Sequence, residues 1–163
     1  MEYSPWTLDI ESSSTDVLKT ARNLGITTVA YSPLGRGFLT GAYKSRADFE
    51  EGDFRLVNPR FSEENFGKNL ELVSKIQDIA KGKGITAGQL TLAWLLKQGE
   101  DIVPIPGTKK IKYLEENMKA LDVQVSEQED KDIREAIEKA VITGGRYPDA
   151  AMKSVLADTV EKK

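Results

Sequence analysis

The chain has 163 residues, 39% of them hydrophobic and 30% charged, with a formal net charge of −3 and neither cysteine nor histidine. That balance describes one soluble globular domain able to bury a sizeable core, not a disordered tail. The acidic balance argues against general nucleic-acid binding, and the missing cysteines exclude disulfide and thiolate sites. Without histidine, any acid–base chemistry falls to Tyr, Lys, Asp or Glu.

The start, Met1-Glu2-Tyr3-Ser4-Pro5, has neither a basic stretch nor an apolar core of the secretory kind, so a cytoplasmic location is expected. No apolar run approaches the roughly 20 residues of a membrane helix. Residues 2–4 read as a short extended segment cut by Pro5. Helix signals run from the hydroxyl cluster Ser12-Ser13-Ser14-Thr15 through Val17, Leu18, Ala21 and Leu24, with Gly25 as the terminating residue. Residues 26–32 are rich in β-branched side chains and predict a strand ending at Pro33. A polar and aromatic stretch, residues 42–64, is too long for an ordinary connection and reads as an extended surface loop, with room for a helical turn, carrying Phe49, Phe54 and Phe61.

Phe66, Leu70, Val73, Ile76 and Ile79 then recur at helical spacing and predict a helix over residues 65–83, ended by Gly84. Thr86-Ala87-Gly88-Gln89 has capping-box form and opens a helix through Leu90, Ala93, Trp94 and Leu95, three of which read as core. Residues 101–106 predict a strand and residues 110–121 a helix. Ser126-Glu127-Gln128-Glu129 is a second capping box, leading a helix through Ile133, Ile137 and Ala140. A Gly144-Gly145 turn, a loop around Tyr147-Pro148 and a last short helix complete the chain. Strands alternating with helices imply a parallel sheet covered by helices and buried on both faces. Three strand candidates cannot close a barrel, so the chain reads as part of a larger fold.

Two segments carry the chemistry. Tyr31-Ser32-Pro33-Leu34-Gly35-Arg36-Gly37-Phe38-Leu39 and Ile105-Pro106-Gly107-Thr108-Lys109-Lys110 each leave a predicted strand and break into a glycine-containing loop with free backbone N–H groups and basic side chains. Strand-end loops of this kind hold phosphate in β/α folds. The first is not the Rossmann fingerprint G-x-G-x-x-G, because Gly41 comes one position late and Pro33 intervenes. Alone it is equally a turn and hinge. In the second, Lys109, Lys110 and Lys112 crowd a helix N-terminus, where cations oppose the helix dipole; a bound anion reconciles the two, a solvated basic patch being the alternative. Tyr31 stands at the carboxyl end of its strand, either as an aromatic shelf or as core. Glu115-Glu116-Asn117 reads by default as a solvated helix face.

Taken together and in order, these segments resemble the carboxy-terminal half of the aldo-keto reductases, in the NADP-dependent fungal and plant branch that includes pyridoxal-reductase-like proteins. The run Glu2-Tyr3-Ser4-Pro5-Trp6 is similar to that family's sixth barrel strand, Leu24 through Gly41 to the seventh strand and its loop, and Ala87 through Asn117 to the preceding helix, eighth strand and cofactor loop. The resemblance implies an α/β fold: about three βα units from the C-terminal part of a TIM-type (β/α)₈ barrel, with a C-terminal helical extension, over residues 1–163. It implies NADPH-dependent reduction of aldehydes and ketones to alcohols, with a small carbonyl substrate, NADP(H) as cofactor, and no metal, nucleic-acid or membrane partner.

Residue by residue, the resemblance assigns Tyr31 to stacking on the nicotinamide, and Ser32, Leu34, Arg36 and Gly37 to the loop around the pyrophosphate. Gly107, Thr108 and Lys109 match the segment that holds the adenosine 2′-phosphate, and Glu116 and Asn117 the pair that bonds the adenine. Tyr113 stands where many relatives carry an arginine. The family's catalytic Asp, Tyr, Lys and His fall upstream of Met1, and none of Tyr3, Tyr43, Tyr113 or Tyr147 has the partner Lys and Asp of a proton donor. The chain is therefore expected to carry the cofactor-binding half without catalytic residues, as a fragment or short paralogue. The alternative is a catalytically inactive half-barrel that binds nucleotide or protein. Open sheet edges are expected to drive self-association.

Overall fold

The structure, a computed structural model, describes residues 1–155. Its elements are α1 (Val17–Asn23), β1 (Thr28–Ala30), α2 (Glu63–Gly82), α3 (Ala87–Lys97), β2 (Ile102–Pro104), α4 (Ile111–Met118), α5 (Glu127–Lys139) and α6 (Asp149–Val155). β1 and β2 pair in parallel, with Thr28, Val29 and Ala30 opposite Ile102, Val103 and Pro104. The extended N-terminal segment lies along the other edge of β1. Glu2 bridges Tyr31 in parallel, the Tyr31 amide donates to the Met1 carbonyl at 3.0 Å, and the Met1 amino group donates to the Val29 carbonyl at 3.1 Å. Three parallel segments with helical crossovers thus make an open α/β sheet.

Local chemistry accounts for the helices. Thr86 accepts from the Gln89 amide while the Gln89 side chain accepts from the Thr86 amide, closing the predicted capping box at α3. Ser126 and Glu129 do the same at α5. The hydroxyl cluster before α1 does not cap it: Ser12 and Ser14 bond each other, and Asp16, at φ 48°, precedes the helix without a side-chain cap.

Two expectations are corrected. Residues 42–64 hold more than the one helical turn expected, and they are not a loop confined to the surface. They fold into three short 3₁₀ turns, Arg46–Asp48, Phe54–Val57 and Pro59–Phe61, and bury Phe49 and Phe61 while leaving Phe54 exposed. These two rings join Trp6, Phe38 and Phe66 in an aromatic cluster. Trp6 stacks on Phe38 at 4.7 Å, and Phe61 meets both edge-on at 5.4 and 5.6 Å. A sequence of polar residues hides this because its aromatics lack helical or strand periodicity. The sheet is also not buried on both faces. Ala30 and Ile102 enter the core beside Leu90 and Trp94, but Val29, Val103 and Ile105, on the opposite face, are 49%, 45% and 52% exposed.

Candidate cofactor site at the strand ends

The two glycine loops leave the sheet side by side. The Ile105 amide donates to the Ala30 carbonyl at 3.0 Å, so Tyr31 and Ile105 continue adjacent strands into adjacent loops. The first loop is tightly wound: Ser32, Gly35, Arg36 and Gly37 all have positive φ, at 49°, 56°, 58° and 86°. Backbone bonds from Gly35 to Ser32, Gly37 to Leu34 and Leu39 to Leu34 close successive turns. Among the described residues, no acceptor meets the amides of Leu34 and Arg36. That leaves donors for an anion, the arrangement a phosphate needs.

Among the described residues, Arg36 has no carboxylate partner. Its guanidinium lies over the rings of Phe54 and Tyr147, at 5.5 and 4.7 Å, and Nη1 donates to the Arg146 carbonyl. The half-buried Tyr31 phenol is pushed above its ordinary range, first by burial, then by the charge of Glu2. Tyr31 is thus held as a neutral aromatic surface.

The second loop is open. Gly107, Thr108, Lys109 and Lys110 are all exposed. Thr108 Oγ1 accepts from the Lys110 amide at 3.2 Å, just before α4 begins at Ile111. Lys110 and Lys112 each reach within 5.9 Å of the Tyr113 ring, while Lys109 has no carboxylate partner among the described residues. Glu116 accepts from the Thr86 hydroxyl at 2.7 Å, and its carbonyl from Gln89 Nε2 at 3.3 Å, which ties α4 to the start of α3. Glu116 and Asn117 are half-buried in the last turn of α4, away from a purely solvated helix face. The structure therefore groups Tyr31 to Gly37 in one compact loop, with the Gly107 to Lys109 loop beside it, and places Glu116 and Asn117 one helix further on.

Residues 143–148 were not assigned to any site by motif, yet they cross this one. Buried Arg146 forms ion pairs with buried Glu2 and with Asp9. A cavity of about 10 Å³ beside Glu2, Trp6, Gly35, Arg36, Arg60 and Arg146 has room for a single water. Trp6 Nε1 and Arg60 Nε are buried there without a hydrogen-bond partner. A larger cavity of about 460 Å³ lies elsewhere, between Tyr3, Glu11, α1 and Arg134, and contains none of the strand-end loop residues. Among the described residues, no helix is long and apolar enough to cross a membrane, and no group of three or more acidic residues is placed to hold a metal ion.

With the two loops adjacent at the carboxyl ends of parallel strands, similarity decides the family. A sequence model of the aldo/keto reductase family matches residues 1–138. The chain belongs to the aldo-keto reductase family. It is 58% identical over 159 residues to an NADP(+) aldo-keto reductase of Schizosaccharomyces pombe, covering 98% of this chain and 47% of that protein. It is 50% identical over 161 residues to the aldo-keto reductase str7 of Strobilurus tenacellus, covering 99% and 47%. The chain spans about half the length of these curated relatives. Among solved structures, a glycerol dehydrogenase from Gluconobacter oxydans shares the fold at TM-score 0.77 and 23% identity, with 87% of this chain and 42% of that one covered. A Klebsiella pneumoniae aldo-keto reductase in complex with NADPH matches at TM-score 0.57 and 24% identity, covering 83% and 37%. The chain is thus a partial α/β barrel of an oxidoreductase family, with its sheet open.

Proposed function

We propose that this chain forms the NADP(H)-binding part of an aldo-keto reductase that reduces a small aldehyde or ketone. The supporting observation is the Ile105-to-Ala30 hydrogen bond, which sets the Tyr31–Gly37 and Gly107–Lys109 loops side by side. The Schizosaccharomyces relative, named as an NADP(+) enzyme, agrees with it.

The residues fit the group. The uncommitted Leu34 and Arg36 amides offer donors to a pyrophosphate, with the positive φ values of Ser32, Arg36 and Gly37 turning the backbone around it. Thr108 and Lys109 offer a hydroxyl and a cation to a 2′-phosphate. The neutral Tyr31 ring offers a flat apolar surface to a heterocycle and shields one of its faces from water. When bound, NADPH supplies the hydride for carbonyl reduction. Among the described residues, no tyrosine hydroxyl is hydrogen-bonded to a lysine or an aspartate; that of Tyr3 donates to Glu11. The chain's own residues bind and orient; they do not transfer the proton.

Titration of the 163-residue chain with NADPH, followed by nicotinamide fluorescence, tests the binding role, and an aldehyde panel tests turnover. Saturable binding without turnover is expected. Absence of binding at millimolar NADPH contradicts the proposal, and turnover abolished by Tyr31→Phe contradicts the role given to Tyr31. A second reading, a half-barrel that engages another polypeptide, is favoured by the exposed Val29, Val103 and Ile105 face.

A further inference from the structure

Residues 143–148 contain the run Gly144-Gly145-Arg146-Tyr147-Pro148, which lies beyond the residues matched by the family model although the curated relatives align through it. The segment is anchored at both ends of its path. At its start, the side chain of Asn69 in α2 pairs with Thr143 twice, donating to its carbonyl and accepting from its amide, both at 2.9 Å. Gly144, at φ 86°, passes so close to the preceding 3₁₀ turn that a Cβ would lie 2.6 Å from the Pro59 carbonyl carbon. Further on, the Arg146 side chain is 6% exposed and meets the 3%-exposed Glu2 carboxylate as an ion pair. A buried pair of this kind is a poor source of stability but a strong selector of one arrangement.

The segment ends against the loop. The Tyr147 ring lies 4.7 Å from the Arg36 guanidinium, and Arg36 Nη1 donates to the Arg146 carbonyl at 3.4 Å. Arg36 has few alternatives. It sits in a left-handed backbone conformation that a non-glycine residue adopts only under constraint.

We infer that residues 143–148 act as a strap that positions the Tyr31–Gly37 loop, with Arg146 as the buried anchor and Tyr147 as the positioning residue for Arg36. The strap's role in binding rests on the proposed NADP(H) site; its hold on the loop does not. Removing the Tyr147 ring releases the Arg36 guanidinium from one of the two rings it lies over.

The test uses the 163-residue chain with Tyr147→Ala, which removes the ring, and Tyr147→Phe, which keeps one. Amide hydrogen exchange is read at Gly35 and Gly37 in the loop and at Leu92 to Leu95 in α3. Loss of one cation–π contact predicts about 2- to 5-fold faster exchange at Gly35 and Gly37 for Tyr147→Ala. Tyr147→Phe should keep most of the protection, and exchange in α3 should stay unchanged in both. NADPH affinity should fall by the same factor in Tyr147→Ala. Unchanged loop exchange in Tyr147→Ala, equal acceleration in α3, or a Tyr147→Phe loop that exchanges as fast as that of Tyr147→Ala overturns the strap. NADPH affinity unaltered by Tyr147→Ala overturns its role in binding. If the unmodified chain binds no NADPH, the cofactor site fails, while exchange still decides whether the strap holds the loop.

Discussion

Arg55 donates from Nη1 to the carbonyl oxygen of Arg36 at 3.0 Å, joining the aromatic 3₁₀ segment to a residue of the Tyr31–Gly37 loop held at positive φ. The same guanidinium is clasped by Asp53, with Nε at 3.0 Å from Oδ1 and Nη2 at 2.6 Å from Oδ2, and lies 4.3 Å from the Tyr43 and Phe49 rings. Both members of the ion pair are mostly buried, at 16% and 17% exposure.

Arg55→Ala therefore leaves a largely buried carboxylate unpaired and removes two cation–π contacts. A loss of about 2–4 kcal/mol in unfolding free energy is expected from urea denaturation. Arg55→Lys should recover less than half, because an ammonium cannot bond both carboxylate oxygens and the Arg36 carbonyl while stacking. A loss of less than about 0.5 kcal/mol for the alanine variant, in the range of exposed pairs, would show that Arg55 does not anchor the loop.

The same pair predicts acid sensitivity. Hydrogen bonding from the Arg55 side chain holds the Asp53 carboxyl below its ordinary range. The Arg22 side chain does the same for Asp101, and the Lys83 side chain for Glu129. Each folded-state value lies below the unfolded one, about 4, so the stabilisation is present above pH 4 and disappears as pH falls through the folded values. Thermal midpoints should be flat from pH 7 to 5 and drop steeply below 4. Asp53→Asn should lower the midpoint at pH 7 and shallow the acid decline. An unaltered slope would mean that other carboxylates carry it.

Gly35 predicts a different failure. At φ 56°, a Cβ there would sit 2.8 Å from Trp6 Cε3 and 3.2 Å from Leu39 Cγ, and Trp6 is already stacked on Phe38. Gly35→Ala combines backbone strain with overpacking and should cost about 2–4 kcal/mol. Gly52, at φ 80° with nothing within 4 Å of an added Cβ, isolates the backbone contribution; Gly52→Ala should cost about 1–2 kcal/mol. Equal melting-temperature losses for the two variants would show that the Trp6 contact does not matter.

Periodic and capped elements were legible in the chain. Thr86 with Gln89 and Ser126 with Glu129 announce α3 and α5 through local hydrogen bonding, and the Phe66-to-Ile79 spacing announces α2. The two strand-end loops were legible because glycine, proline and lysine cluster at abrupt ends of β-branched runs. The burial of Phe49 and Phe61 was not, since Phe61 packs on Trp6 and Phe38 and Phe49 on Phe61 and Phe66, contacts that no local periodicity announces. Arg146 was hidden for the same reason: its partners Glu2 and Asp9 lie at the other end of the chain. Sheet-face exposure escaped a rule that assumes helices or strands on both sides of a parallel sheet.

That exposed face carries a prediction of its own. Val29 and Val103 are register partners, and Ile105 follows on the same side, so three branched apolar side chains form one strip beside open backbone edges. Such strips associate. The chain should sediment as dimers or larger species at micromolar concentration. Val103→Lys with Ile105→Lys should shift it toward monomer while leaving helical circular dichroism unchanged. A monodisperse monomer in the unmodified chain would rule out association through this face.

Cofactor preference is tested at Lys109. It is exposed in the loop before α4, without a carboxylate partner, beside the Thr108 hydroxyl and the N-terminal amides of the helix. A 2′-phosphate placed there adds about two negative charges, and each charge-assisted hydrogen bond to it contributes about 1.5–3 kcal/mol. One such bond gives a preference for NADPH over NADH of roughly 10- to 150-fold. Joining residues 1–163 to the preceding half of the Schizosaccharomyces relative provides a complete barrel in which both affinities can be measured. Lys109→Glu should weaken NADPH by at least about 10-fold and NADH by less than about 2-fold, since only the former carries the phosphate. Lys110→Glu and Lys112→Glu, whose ammonium groups approach the Tyr113 ring, should change both cofactors by similar small factors. Equal losses for NADPH and NADH in Lys109→Glu would assign the lysine to the general field of the loop and remove it from 2′-phosphate recognition.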